Sequence, residues 1–401
     1  MSHPFDALAE ETLRARPSVK WRHFPEDVLA CWVADMDFPP AEEILRAVTD
    51  FVAAGDLGYP PMTGLAGLRE AVCDRLAERH GLSLEPDDLQ ALPGIIPGLN
   101  LACSVLAGPE EGVIVQPPVY PPFMSAVHGN GRELVYNPMR EGEEGWEFDL
   151  EGLERAVKPS TRLLMLCNPQ NPTGRVFRRD ELEALAEVVL RHRLWVVSDE
   201  LHADLVLGDA AANGRSVGRE LRHVPFAALG AEVAQRTLTL YGPTKAFNIA
   251  GLKIGFAMSR NRELMERLRL AASGLVASGN VLAQAATLAA YRQGDSWLDG
   301  TLDYLRGNRA ALLEFTAREL PGVRLHAPQG TYLAWLDFRG SALGGPAADF
   351  LLERARVGLN SGVDFGPDLE PGLEGFARLN FATSRRLLMR ALGRIRDTLT
   401  P

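Results

Sequence analysis

Cysteine is scarce in this chain, and clusters of basic residues are missing. The cysteines lie far apart, each within or beside an apolar segment and outside any C-x-x-C pair: Cys31, Cys73, Cys103 and Cys167. This spacing predicts buried free thiols of a reducing compartment, not zinc ligands or disulfides. The formal net charge is −10 at pH 7, and the chain has no long run of Lys and Arg of the kind found in nucleic-acid-binding proteins. We therefore predict no nucleic-acid partner and no metal site.

Targeting and membrane signals are missing as well. The chain begins without a basic region followed by an apolar core, so no signal peptide is predicted. Residues 271–291 carry no charge, but they include Ser273, Ser278, Asn280 and Gln284 and are too polar for hydrocarbon. We predict that this stretch is a buried or subunit-facing helix, that the protein has no membrane partner, and that it is cytoplasmic.

Length and composition indicate a globular protein of two domains. The 401 residues exceed what one hydrophobic core usually supports, while 46% hydrophobic and 23% charged residues are ordinary values. We predict an N-terminal arm that joins the small domain (1–40), a large domain (41–294) and a small C-terminal domain (295–401).

Apolar strands alternate with helices through the predicted large domain. The expected strands are 112–116, 161–166, 194–198, 238–241 and 254–258, and the expected helices are 41–54, 65–80, 179–192 and one running to about residue 106. A strand-like run at 31–40, a helix at 297–320 and strands at 330–337 and 376–381 lie outside this alternation. The pattern predicts an α/β fold with a mainly parallel central sheet covered by helices, and a smaller α+β domain.

Lys245 follows one of these strands and a Gly-Pro break, at the mouth of a loop of small residues. A lysine held beside apolar groups and a second cation has a lowered pKa, which an amine needs to form a Schiff base near neutral pH. Tyr120, Asn171 and Asp199 lie just past other strands of the same sheet. Because ligands bind at the carboxyl ends of parallel strands, we predict that these residues share one site with Lys245.

Pyridoxal 5′-phosphate has chemical groups that match this set. A carboxylate at its pyridine nitrogen keeps the ring protonated and able to absorb carbanion charge, and Asp199 is so placed. Asn171 and His202 could contact the 3-hydroxyl, and Tyr120 could stack on the ring face. The phosphate could bind at residues 94–98, which include Ile95 and Ile96, together with Thr244 and Lys253. Arg378 could bind the carboxylate of an amino-acid substrate.

Each residue also has a purely structural interpretation. Asp199 could cap a helix, Asn171 could belong to an Asn-Pro turn, and His202 could be a satisfied core histidine. Tyr120 could be a loop aromatic, and Arg378 could be one half of an internal ion pair. Only the complete set, in the order that one parallel-sheet site requires, favours the cofactor interpretation.

Several long motifs resemble those of fold-type I pyridoxal-phosphate enzymes of the class I/II aminotransferase superfamily, from about Lys20 to the C-terminus. They are Asn168-Pro-Gln-Asn-Pro-Thr-Gly174, Ser198-Asp-Glu-Leu-His202, Pro243-Thr-Lys-Ala-Phe-Asn-Ile-Ala-Gly-Leu252 and Gly375-Phe-Ala-Arg-Leu-Asn380. The run Trp32-Val-Ala-Asp-Met-Asp-Phe38, together with His202 where typical aminotransferases carry Tyr, is similar to the cystathionine β-lyase branch.

The resemblance implies individual roles. Lys245 is the lysine that carries the cofactor, and Arg378, Ala34 and Asn171 bind the substrate. Tyr59 matches a tyrosine that reaches the phosphate of the neighbouring subunit, which implies a homodimer with shared active sites.

Two positions depart from the family's pattern. Gly242 stands where a serine often binds the phosphate, and Lys253 stands where many aminotransferases have arginine. Lysine offers a point charge and not a fork, so we expect the phosphate to be held with less rigidity.

The resemblance implies a carbon–sulfur β-lyase that cleaves cystathionine or cysteine S-conjugates to a thiol, pyruvate and ammonia. A class I/II aminotransferase is the alternative, since both reactions share every step up to the carbanion. The absence of arginine from residues 271–291 disfavours an aminotransferase specific for dicarboxylates. A third interpretation is a cofactor-bound regulator without turnover, against which the intact Lys245, Asp199 and Arg378 argue.

Overall fold

A computed structural model describes residues 3–61, 63–143, 145–209, 221–277, 279–343, 345–369 and 372–399. Its strands are β1 (Leu29–Ala30), β2 (Leu89–Leu92), β3 (Gly112–Val115), β4 (Glu133–Tyr136), β5 (Arg140–Gly142), β6 (Gly145–Glu147), β7 (Thr161–Cys167), β8 (Trp195–Asp199), β9 (Thr237–Tyr241), β10 (Gly255–Met258), β11 (Arg324–Leu325), β12 (Leu333–Asp337), β13 (Val357–Gly358), β14 (Asn360–Ser361) and β15 (Phe376–Asn380).

Helices separate most of these strands. They are α1 (Glu10–Ala15), α2 (Val19–Arg22), α3 (Glu42–Ala54), α4 (Leu68–His80), α5 (Ile95–Leu106), α6 (Pro122–Gly129), α7 (Leu150–Ala156), α8 (Arg179–Arg191), α9 (Ala231–Gln235), α10 (Arg262–Ala272), α11 (Val281–Gln293), α12 (Asp295–Glu319), α13 (Ala347–Phe350) and α14 (Arg385–Leu399). No helix within the described ranges is long and apolar enough to cross a membrane.

A seven-stranded sheet in the order β2-β10-β9-β8-β7-β3-β4 forms the centre of the protein. The strands from β9 to β4 pair in parallel, and β10 runs antiparallel to both of its neighbours. The predicted α/β fold is thus confirmed, with one antiparallel strand in a mainly parallel sheet. The predicted strands and helices of this region are present, with ends shifted by a few residues.

Both faces of this sheet are covered, as the continuous apolar runs of its strands require. Along β7, Leu163 and Met165 pack into a core with α5, α6 and α10, whereas Leu164 and Leu166 pack into a second core with α8. Alternate side chains of one strand therefore pack against helices on opposite faces of the sheet. This packing holds in place the carboxyl ends of the strands, where the predicted site residues lie.

A smaller antiparallel sheet, in the order β11-β12-β15-β14, lies in the C-terminal part of the chain. The N-terminal arm joins this part, because β1 pairs in parallel with β13. The long helix and the two longer strands predicted here are present as α12, β12 and β15. The domain boundaries at residues 40 and 294 stay a prediction.

The strand predicted at residues 31–40 is wrong. Only Leu29 and Ala30 pair with another strand, and the following segment is extended but irregular. Its backbone groups are bound by side chains instead. Asn380 Nδ2 donates to the carbonyls of Val33 and Asp35 at 2.6 and 2.7 Å. Asn248 similarly binds the backbone of residues 36 and 38. An apolar run pattern cannot distinguish this segment from a strand.

The single helix predicted at residues 271–291 is also wrong. Helix α10 ends at Ala272, Gly274 turns the backbone with a φ of 75°, and α11 begins only at Val281. Asn280 caps α11, since its side chain accepts a hydrogen bond from Ala283 N at 2.8 Å. Ser278 lies outside the described residues. The stretch was also predicted to be buried, and this is confirmed for α11, most of whose alanine side chains are buried.

Candidate active site

A cavity of about 490 Å³ opens at the carboxyl ends of the parallel strands. Its lining includes nearly all the predicted site residues: Ala34, Ile95, Ile96, Tyr120, Asn171, Asp199, His202, Thr244, Lys245, Lys253 and Arg378. The strands β3, β7, β8 and β9 each deliver a residue to this edge, as the predicted topology requires. Tyr59 is the exception, since it is fully exposed and is not part of the lining.

Lys245 follows β9 after a tight approach to β10. A side chain at Gly242 would bring its Cβ within 3.2 Å of Gly255 Cα, so the serine common at this position in the family has no room without a backbone shift. Lys245 Nζ donates to the carbonyl of Ala34 at 2.6 Å and lies 3.9 Å from a carboxylate oxygen of Asp35. Burial lowers the pKa of Lys245, and the Asp35 carboxylate opposes this shift. A larger neutral fraction makes the amine a better nucleophile and base.

Asp199 is the last residue of β8 and is buried. One carboxylate oxygen accepts a hydrogen bond from Leu201 N at 3.1 Å. Burial raises the pKa of Asp199 to about 7, while the Leu201 amide and the Lys245 cation oppose the shift. Among the described residues, no cation lies within ion-pair distance of this carboxylate. A buried acid without a cation suits a ligand that brings its own positive charge, such as a protonated ring nitrogen.

The start of α5 closes another side of the cavity. Gly94 precedes the helix with a φ of 114°, which favours glycine, and no side chain caps the first helical N–H groups. Thr244 and Lys253 line the same region, and Lys253 has a left-handed backbone with a φ of 54°. A non-glycine residue in this conformation is strained and is typical of functional sites. Free N–H groups beside a cation suit a phosphate.

Arg378 projects from β15 and is 4% exposed. Its guanidinium donates to Asn171 Oδ1 at 2.8 Å, Asn360 Oδ1 at 2.5 Å and the carbonyl of Trp32 at 3.0 Å. No carboxylate of the described chain pairs with it, so the interpretation as an internal ion pair is wrong. Burial lowers the pKa of Arg378 to about 10, and the buried Nε has no hydrogen-bond partner among the described residues. A guanidinium so placed has capacity for an external carboxylate.

Asn171 links the two ends of the predicted site. Because arginine only donates, the bond from Arg378 assigns the Asn171 oxygen to that side and leaves the amide nitrogen of Asn171 as a donor. One asparagine can thus contact a substrate-binding arginine and still donate to a phenolate-like oxygen in the cavity.

His202 and Tyr120 complete the lining. His202 is buried, and its Nδ1 has no hydrogen-bond partner in the described part of the chain. Burial, together with the charges of Lys245 and Arg378, lowers the pKa of His202 to about 3, so the imidazole is neutral at working pH. Burial also raises the pKa of Tyr120, whose phenol therefore stays protonated. Both side chains offer neutral hydrogen-bonding or stacking groups to a ring.

Some residues of the site were not predicted from the sequence. Tyr332 OH donates at 2.8 Å to the Ala34 carbonyl that also accepts from Lys245, and Asn360 shares the Arg378 guanidinium. Tyr332 lies in a predicted strand, but no pattern shows which way its phenol points. Asn248 lies within the quoted lysine motif and could have been singled out as a polar residue in an apolar run.

The cavity fits pyridoxal phosphate. It combines an amine, a buried acid without a cation, an uncapped helix start next to a lysine, and an arginine without a carboxylate. These are the partners of an aldehyde, a pyridine nitrogen, a phosphate and an amino-acid carboxylate. Among the described residues, no group of three or more His, Cys, Asp or Glu side chains could hold a metal ion. All four cysteines are buried and form no disulfide.

The raised pKa of Asp199 predicts a pH dependence of stability for the cofactor-free protein. Unfolded Asp199 loses its proton near its ordinary pKa of 3.8, whereas folded Asp199 keeps it to about 7. The free energy of unfolding therefore falls by roughly a few kcal/mol as the pH rises from about 4 to about 7. The Asp199→Asn variant lacks this loss, so its unfolding free energy relative to wild type should increase between pH 5 and pH 8. Urea unfolding at both pH values measures the difference, and a constant difference would contradict the prediction.

Comparisons with known proteins agree with this geometry. A model of the family described as aminotransferase class I and II matches residues 32–395. The cystathionine β-lyase PatB of Bacillus subtilis (strain 168) is 37% identical over 396 residues, which cover 96% of this chain and 97% of that protein. The cystathionine β-lyase of Corynebacterium glutamicum is 33% identical over 395 residues, with coverages of 97% and 98%. The crystal structure of a pyridoxal-phosphate-bound C–S lyase from Staphylococcus hominis matches with a TM-score of 0.85 at 27% identity and covers 100% of this chain and 99% of that one.

These similarities confirm the resemblance drawn from the motifs, including its cystathionine β-lyase branch, and they favour a carbon–sulfur lyase over an aminotransferase. Pyridoxal 5′-phosphate is the cofactor. The chain belongs to the class I and II aminotransferase family.

Proposed function

We propose that the protein cleaves the Cβ–S bond of cystathionine or related cysteine S-conjugates and releases a thiol, pyruvate and ammonia. The observation that carries this proposal is one cavity in which the Lys245 amine, with its lowered pKa, shares the lining with buried Asp199 and with Arg378, which pairs with no carboxylate among the described residues. The lyase relatives, which align over nearly the whole chain, support the choice of reaction.

Residues from several elements would hold the cofactor. Lys245 would carry its aldehyde, Asp199 would face the ring nitrogen, and Asn171 and His202 would contact the 3-oxygen. Tyr120 would cover the ring, and the start of α5 with Ile95 and Ile96, together with Thr244 and Lys253, would bind the phosphate. Pyridoxal phosphate supplies an electron sink for the electron pair that remains when a substrate bond at Cα is broken.

The chain's own residues bind the substrate and move its proton. Arg378 forms a fork with the substrate carboxylate, supported by Asn171 and by the backbone of Ala34. The Lys245 amine would take the Cα proton of the substrate as general base. The Cβ–S bond then breaks, and the sulfur leaves with the bonding electron pair as a thiolate that must be protonated.

The test is to mix purified holoenzyme with cystathionine and no keto acid, and to measure pyruvate and thiol together. We expect both products in equal amounts and without delay. Product that appears only when a keto acid is added would instead indicate transamination. Absence of turnover with either mixture would indicate a binding or regulatory protein.

We also propose a homodimer whose cavities are completed by the neighbouring subunit. Tyr59 is fully exposed, and Leu57, Leu270 and Leu275 are exposed apolar side chains. Ile96 lines the cavity while remaining half exposed, so the opening is continuous with the surface. An apolar surface of this kind suits a second copy of the chain.

The buried thiols agree with a cytoplasmic enzyme.

Removal of one hydroxyl tests the shared site. The Tyr59→Phe variant should bind pyridoxal phosphate about tenfold or more weakly, because a hydrogen bond to a charged group is lost. Tyr136→Phe is the matched control, since that phenol donates to Asp368 on the surface away from the cavity. Cofactor titration followed by absorbance measures both, and sedimentation equilibrium measures the dimer. Equal affinity in the two variants would count against the role of Tyr59.

A further inference from the structure

The carboxylate of Asp35 is the charged group nearest to Lys245 for which the proposed reaction has no role yet. One oxygen lies 3.9 Å from Lys245 Nζ, and this is the one ion pair of Lys245 within the described ranges. No hydrogen bond from another described residue reaches the Asp35 side chain, which is about one third exposed (32%). Among the described residues, Lys245 is therefore the one cation within ion-pair distance of this carboxylate.

Hydrogen bonds hold the backbone of Asp35 in place. The Asp35 carbonyl accepts from Lys20 Nζ at 3.0 Å and from Asn380 Nδ2 at 2.7 Å, and the Asp35 amide donates to the carbonyl of Val33 at 2.8 Å. Lys20 is itself buried and paired with Asp37 at 3.1 Å. This anchoring holds the carboxylate next to Lys245 without any bond that would tie it to another group.

The other groups that act on Lys245 do not supply a fixed counter-charge. Arg378 is a like charge, and His202 is neutral. Asp199 acts on Lys245 more weakly than Asp35 does, and in the proposed holoenzyme it would face the ring nitrogen of the cofactor. The Tyr332 phenol is protonated and bonded to the Ala34 carbonyl. Among the described residues, Asp35 is thus the nearest counter-charge for a proton on Lys245, whose Nζ also donates to the Ala34 carbonyl.

We propose that Asp35 is a positioning residue for Lys245: its carboxylate stabilises the protonated Nζ and keeps the proton taken from Cα available for the departing sulfur. This role rests on the proposed function. The C–H bond breaks and its electron pair stays on the substrate side, the proton binds to Nζ, and the ammonium later gives the same proton to the thiolate. Asp35 forms no new bond.

The protonation state of the nitrogen that joins Lys245 to the cofactor changes the visible absorbance of the bound cofactor, so the proposal can be tested without turnover. In the Asp35→Asn holoenzyme this absorbance transition should move to lower pH by about one unit, a tenfold loss of proton affinity. This shift is at the low end for a charge at this distance, because Asp35 is partly exposed and solvent screens its charge. The Asp35→Glu variant, which keeps the charge, should restore most of the shift.

The matched control is Asp27→Asn, which removes a carboxylate from a surface ion pair with Arg356 and should leave the transition unchanged. Asp35→Ser is a second neutral variant in case asparagine disturbs the segment. A folded neutral variant whose transition stays at the wild-type pH contradicts the proposal, as does a shift in Asp35→Glu as large as that in Asp35→Asn. If wild type makes no pyruvate from cystathionine but the absorbance transition shifts as expected, the proposed reaction fails while the stabilisation of the protonated Nζ by Asp35 stands.

Discussion

Loss of Lys245 is expected to abolish both chemistry and covalent attachment of the cofactor. In Lys245→Ala, the rate of pyruvate release from cystathionine should fall by about 10³-fold or more, because the general base and the covalent anchor are removed together. Pyridoxal phosphate should still bind, since Asp199, the start of α5 and Lys253 remain. Steady-state kinetics and borohydride treatment of the variant measure the two effects.

Lys253→Ala is the matched control, because Lys253 lines the same cavity at its predicted phosphate end. This variant should bind the cofactor more weakly but retain turnover when the cofactor is in excess. If Lys245→Ala kept turnover while Lys253→Ala lost it, the assignment of the two lysines would be reversed.

Replacement of Arg378 has the second largest expected effect, and it should separate substrate binding from stability. In Arg378→Met, kcat/KM for cystathionine should fall by roughly 10²- to 10³-fold, because a buried charged fork to the substrate carboxylate is lost. The unfolding free energy of the cofactor-free protein should change by less than about 2 kcal/mol. The variant loses hydrogen bonds to neutral oxygens but no longer buries a guanidinium without a carboxylate.

Arg378→Lys distinguishes charge from geometry. Lysine keeps the positive charge but not the fork, so its kcat/KM should lie between those of wild type and Arg378→Met. Urea unfolding of all three proteins checks the stability claim. A large stability loss in Arg378→Met with unchanged kcat/KM would show that Arg378 is a structural residue.

Much of the site could be predicted because strand ends carry positional information. Asp199 and Lys245 follow runs of apolar residues that can only be buried strands, and parallel strands end at one edge of a sheet. The chemistry of each side chain then limits which group of a ligand it can face. The same positional argument places Asn171 in the site. It does not predict the hydrogen bond from Arg378 to Asn171, because these residues lie 207 positions apart in the sequence.

The remaining features depend on contacts that a linear pattern does not encode. Residues 31–40 look like a strand because they begin with an apolar run that acidic residues and two prolines close, yet Asn380 and Asn248 occupy the backbone groups that a neighbouring strand would use. The role inferred for Asp35 arises from this irregular segment. Tyr59 lies on the surface, so a single chain cannot show what it contacts.

Borohydride reduction of the holoenzyme followed by peptide mass mapping tests the central claim most directly. The lysines of the chain are Lys20, Lys158, Lys245 and Lys253, so each possible attachment site can be resolved. We predict that the reduced cofactor is found on the peptide that contains Lys245 and on no other. Its recovery on the Lys253 peptide, or the absence of any covalent adduct, would contradict the account.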